Sequence, residues 1–178
     1  RVIVTTPISG WFRCAGERGC GLAIAIFVSR QLSQNFAVDL LLTSGHELGM
    51  CGGYHLAQSY DTKPECVLHL GSCIANIDAK TTAICSTNSV TAGHIASALK
   101  RLGIKLVNLS DPTNKENWVG ESMCWVSNNW PILSIAGLAP HFHARSDLPE
   151  VVTNPGLLGT AIEVIMDTIL ALANQGKT

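Results

Sequence analysis

Charge is scarce in this chain. Only 14% of its 178 residues are Asp, Glu, Lys or Arg, and they sum to a net charge of −1. That balance removes the electrostatic basis for holding nucleic acid or an anionic membrane surface. No apolar run reaches the length of a membrane span, and no basic-then-apolar leader opens the sequence. The seven cysteines, at 14, 20, 51, 66, 73, 85 and 124, include no CxxC pair. Their odd number and apolar settings argue against a disulfide framework and favour a reducing compartment such as the cytoplasm. HExxH, a Walker loop and GxGxxG are also missing, so no metalloprotease helix or nucleotide loop is legible from spacing.

What is present is apolar, at 47% hydrophobic residues. That content over this length predicts one domain, 1–178, with a substantial core. The chain opens at Arg1 and runs straight into the apolar Val2-Ile3-Val4, which reads as a piece of a longer protein. Strands are expected over Val2–Thr6, Ala37–Thr43, Cys66–Leu70, Ala83–Ser86, Ile104–Leu109 and Pro131–Ala136. Helices are expected over Gly21–Leu32, Leu48–Tyr60 and Val90–Leu102, within Glu116–Ser127, and over Gly156–Ala173 behind an Asn154-Pro155 cap. Asp111-Pro112 opens a polar loop. Alternating strands and helices predict an α/β fold of three layers, αβα, around a mixed, mainly parallel sheet.

Polar groups recur where strands end, the usual place for chemistry in an open α/β sheet. Glu17 follows the first strand, His46 and Glu47 the second, His69 the third, and His141, His143 and Asp147 the last. In parallel strands these groups meet at one edge. A divalent ion needs three or four such nitrogen and oxygen donors at about 2.0–2.2 Å. The competing reading gives Glu47 to helix capping and leaves each His structural.

Three segments resemble the zinc aminopeptidases of the bacterial leucyl aminopeptidase type, whose relatives include the glutaminyl cyclases. GERGCGLAIAIFVSR is similar to the family's D-N-x-S-G segment, LLLTSGHELGMCGG to its strand and E-E-x-G-x-x-G, and NWPILSIAGLAPHFHARSDLPEVV to its last ligand segment. The resemblance puts Glu17 at the bridging acid, His46 at the general base, and Glu47 and His143 at metal ligands. It puts His69 at a central Asp ligand and Glu121 at an acid of the SD(H) segment. The family's first His ligand falls on Pro7, which cannot coordinate, and its Asp partner on Ser9.

The resemblance therefore implies a single zinc held by Glu17, Glu47 and His143, with His46 or Glu121 moving protons. An alternative ion site would use His46, His69 and His143, and a third arrangement has no metal. The implied function is a metallo-aminopeptidase-like hydrolase acting on peptide or small-amide N-termini. The alternative is a catalytically inactive member used for binding or assembly, with room for an oligomer and no nucleic-acid or membrane partner.

Other motifs carry less. Gly120-Glu121-Ser122-Met123-Cys124 is an incomplete nucleophile elbow. The glycine-rich turn from Gly16 to Gly21 precedes a helix and is suited to an anion. The four Trp line a pocket or fill a core.

Overall fold

The computed structural model describes residues 1–86, 89–109 and 113–173; the expected Asp111-Pro112 loop lies outside them. Along the chain run β1 (Val2–Pro7), α1 (Cys20–Leu32), β2 (Val38–Thr43), α2 (Cys51–Gln58), β3 (Cys66–Leu70), β4 (Lys80–Ser86) and α3 (Ser89–Lys100). Then come β5 (Lys105–Leu109), α4 (Met123–Val126), β6 (Ile132–Leu138), α5 (Pro149–Val152) and α6 (Pro155–Ala173). The strands form one mixed sheet in the order β2-β1-β3-β6-β4-β5. β2, β1, β3 and β6 are mutually parallel. β4 runs antiparallel to β6 and parallel to β5. The first residue of β4, Lys80, therefore arrives at the edge where β1, β3 and β6 end.

Side-chain alternation sorts the sheet into two faces. Val2, Val4, Leu68, Leu70, Leu133 and Ile135 point to one side, into a core completed by α1, α3 and α6. Ile3, Val67, Ile84 and Ile132 point to the other, against α2, α4 and three tryptophans, Trp118, Trp125 and Trp130. Strands covered on both faces lose the apolar-polar alternation of an exposed sheet, and β1 is buried at all six positions. α6 buries Ala161, Val164, Ile165, Thr168, Ile169 and Leu172, the spacing of one helical face. By length and composition it is also apolar enough to cross a membrane, which corrects the expectation that no such run exists. Here that helix packs against α1 and α3.

Several elements depart from their predicted bounds for local reasons. The helix expected over Leu48–Tyr60 starts late, because Gly45, Gly49 and Met50 all hold positive φ. They leave a single 3-10 turn, His46–Leu48, before α2. The region Glu116–Ser127 is broken into 3-10 turns, with only Met123–Val126 α-helical. β4 begins three residues before the predicted Ala83, since Lys80, Thr81 and Thr82 pair with β6. α6 is capped as expected, with Leu157 N–H donating to Asn154 Oδ1 at 3.0 Å.

Trp125 is wholly buried and lies between Tyr60 and Trp130, with ring centroids at 5.9 and 6.1 Å. Truncating it removes the centre of the second core. Trp125→Ala is expected to lower stability by about 3–5 kcal/mol, measured from the urea midpoint at unchanged m-value.

Candidate functional site

The groups named from the sequence meet at the C-terminal edge of the parallel strands. A left-handed Cys14 turns the chain after β1 into a π-helical turn, Ala15–Gly19. The carboxylate of Asp147 closes that turn: Gly16 N–H donates to Oδ1 at 2.6 Å and Glu17 N–H to Oδ2 at 2.9 Å. The glycine-rich turn thus binds an anion, as its composition suggested, but the anion is the chain's own carboxylate. Gly16 is required there, because a Cβ would collide with Asn76 and sit 2.8 Å from Asp147 Oδ1.

The turn drives both Glu17 and Arg18 inward. Glu17 is 0% exposed and Arg18 6%. A buried guanidinium must be paired, and this one has two partners. Arg18 Nη2 lies 3.0 Å from Glu17 Oε1 and 3.1 Å from Glu47 Oε1. Its Nε donates to the carbonyl of Ser9 at 2.6 Å. Ser9 Oγ donates to the other oxygen of Glu47 at 2.9 Å and accepts from His46 N–H at 3.2 Å. Burial alone would raise the Glu47 carboxyl. Backbone hydrogen bonding, the Ser9 hydroxyl and the Arg18 charge outweigh it and hold Glu47 below the ordinary carboxylate range. His143, half exposed and in a left-handed backbone conformation, places Nε2 3.2 Å from Glu17 Oε1.

A second group lies alongside. His46 Nδ1 is 3.3 Å from Oε1 of the fully buried Glu121, whose other oxygen accepts from Thr43 Oγ1. His69 belongs to β3, and its Nδ1 is 2.8 Å from Ser134 Oγ in the register-paired position of β6. Burial, opposed by Glu121 and assisted by His46 and Arg18, pushes His69 down to about 4. Its Nε2 has no hydrogen-bond partner among the described residues. His141 stands apart, with Nδ1 on Ser146 Oγ at 2.9 Å.

Glu17, Glu47 and His143 are therefore brought together, but around Arg18. The guanidinium occupies the point between the two carboxylates that a cation would take. Among the described residues, Glu17 Oε2 is the buried oxygen of that group left without a partner, and one oxygen is not a ligand set. Among the described residues no group of three or more His, Cys, Asp or Glu side chains is disposed to hold a metal ion. Neither the expected Glu17, Glu47 and His143 set nor the His46, His69 and His143 set forms such a group, and the residues do not fit zinc.

The other motifs resolve as structure. Ser122 is buried and donates to the Val119 carbonyl at 2.6 Å. None of the seven cysteines forms a disulfide among the described residues, and burial pushes Cys20 and Cys85 up to about 11 and Cys66, Cys73 and Cys124 up to about 12. A cavity of about 430 Å³ opens beside the two groups, walled by Pro7, Arg18, His46, His69, Lys80 and Phe142 among others.

The arrangement of strands and loops is shared with known proteins. The fold is aminopeptidase-like. It is similar to that of the Legionella pneumophila LapA aminopeptidase, with a TM-score of 0.68 and 13% identity over 98% of this chain and 52% of that one. The zinc aminopeptidase BSAP from Bacillus subtilis gives a TM-score of 0.67 and 12% identity over 98% of this chain and 46% of that one. The gamma-secretase component nicastrin gives 0.63 and 10% identity over 97% and 40%. The chain thus spans about half the length of the aminopeptidases it matches. No family model matches the chain, and no curated protein matches it in sequence.

Arg18 and Lys80 were given no role by the sequence reading. Arg18 carried a signal, a base directly beside Glu17 in a glycine-rich turn of a chain with few charges. Arg18→Met leaves two carboxylates uncompensated and is expected to cost about 3–5 kcal/mol in chemical denaturation. His69 makes stability pH-dependent. Its folded value lies below the ordinary imidazole 6.5, so the unfolded chain takes up a proton first as the pH falls. The contribution is complete above the unfolded value and is lost as the pH drops towards 4. Between pH 7 and pH 5 the wild type is expected to lose about 2 kcal/mol more than His69→Asn, measured by urea unfolding.

Proposed function

We propose that this aminopeptidase-like domain acts by binding, taking a peptide or small amide into the cavity at the strand ends, and does not hydrolyse it with zinc. The observation that carries the reading is the buried Arg18 guanidinium, 3.0 and 3.1 Å from Glu17 and Glu47. It supplies the positive charge those carboxylates need and fills the space between them. Pro7, at the place where the resemblance expects a first ligand, agrees with it. His46 keeps a proton-handling partner in Glu121.

The test is metal content together with turnover. The purified chain, equilibrated with zinc and freed of excess, is expected to retain substoichiometric metal. It should release no anilide from aminoacyl-p-nitroanilides, with or without added zinc. Stoichiometric zinc that disappears in Glu47→Ala, accompanied by anilide release, would reinstate the hydrolase.

A further inference from the structure

The two permanently charged side chains that line the cavity, Arg18 and Lys80, are both cationic. Its titratable lining is Arg18, His46, His69 and Lys80, and no carboxylate side chain lines it. Glu17, Glu47 and Glu121 sit behind, turned towards Arg18, His143, Thr43 and His46. Lys80 is exposed, and its side chain makes no ion pair or hydrogen bond among the described residues. It reaches this edge only because β4 runs antiparallel to β6, which sets Lys80 opposite Leu138.

The deeper wall is a donor as well. His69 is neutral at pH 7, so it carries a single N–H. Ser134 is buried, and its hydroxyl has no acceptor among the described residues other than His69 Nδ1. The Ser134 hydroxyl therefore donates to Nδ1, and the imidazole proton sits on Nε2. That N–H is buried and unpartnered among the described residues, on a side chain that lines the cavity. A buried donor without an acceptor is a standing cost that a ligand oxygen removes. The rest of the lining includes Val119, Leu138 and Phe142, and Val119 and Leu138 are apolar side chains held open to solvent.

From these facts we infer that the cavity selects a carboxylate attached to an apolar body, with the carboxylate oxygens accepting from His69 Nε2 and Lys80 Nζ and the apolar part against Val119, Leu138 and Phe142. An N-acylated apolar amino acid and the C-terminus of a peptide present the same chemistry. The assignment deepens the binding role proposed above and rests on it.

Calorimetry with N-acetyl-leucine and N-acetyl-leucinamide isolates the charge, and an acetylated tripeptide ending in leucine, as acid and as amide, separates the two sources. The acids are expected to bind at least about tenfold tighter than the amides, the scale of a charge-assisted hydrogen bond. Lys80→Met, at an exposed position outside the ion-pair group, should weaken the acids by a similar factor and leave the amides unchanged. Binding of both free acids places a single residue in the cavity, and binding of the tripeptide acid alone points to a peptide terminus. Equal affinity for acid and amide, an unchanged affinity in Lys80→Met, or no binding of any of the four compounds overturns the inference. Zinc uptake, by contrast, would overturn the binding role and not the charge selection, so the two failures are told apart.

Discussion

One buried guanidinium sets the character of this molecule's strand-end site. Removing Arg18 from water is costly unless its charge is met, and two acids from different strand-end segments meet it. Glu17 comes from the turn after β1 and Glu47 from the turn after β2, so the pairing ties the two connections together across the sheet edge. Ser9 and His46 are held by the same network through backbone and hydroxyl contacts. The geometry of the whole edge follows from satisfying that one cation in a charge-poor interior.

The network explains how an aminopeptidase-like architecture is compatible with an altered site. A metal ion and a guanidinium both neutralise converging carboxylates. A metal does so with short bonds and an open position for chemistry, whereas a guanidinium uses its planar hydrogen bonds and leaves no open position. Pro7 and Arg18 are consistent with each other in this light. Pro7 brings no ligand atom to that edge, and Arg18 supplies the charge that Glu17 and Glu47 require. Facing solvent is a cavity lined by Arg18, Lys80 and two histidines, with Val119, Leu138 and Phe142 among its apolar residues.

Much of the architecture was legible because it rests on local and periodic information. The apolar runs of β1, β3 and β6, the α6 cap at Asn154 and the glycine stops follow from burial and backbone sterics. The strand-end acids and histidines were also legible as a class, since parallel strands deliver their following loops to one side. The break after Leu48 was not, because positive φ at Met50 reflects crowding of a turn and not any preference of methionine. Nor was the early start of β4, whose Lys80-Thr81-Thr82 opening carries little apolar signal of its own.

The sequence by itself determined the α/β class, the order of most elements and which polar residues lie at strand ends, because each depends on side-chain type and spacing along the chain. Only the tertiary structure decided what those residues do to one another. Whether Glu17 and Glu47 meet a metal or an arginine depends on distances of about an ångström between segments some 30 residues apart. Likewise, the direction of β4 brings Lys80 to the cavity, and strand direction is a property of the assembled sheet that no short stretch of residues encodes.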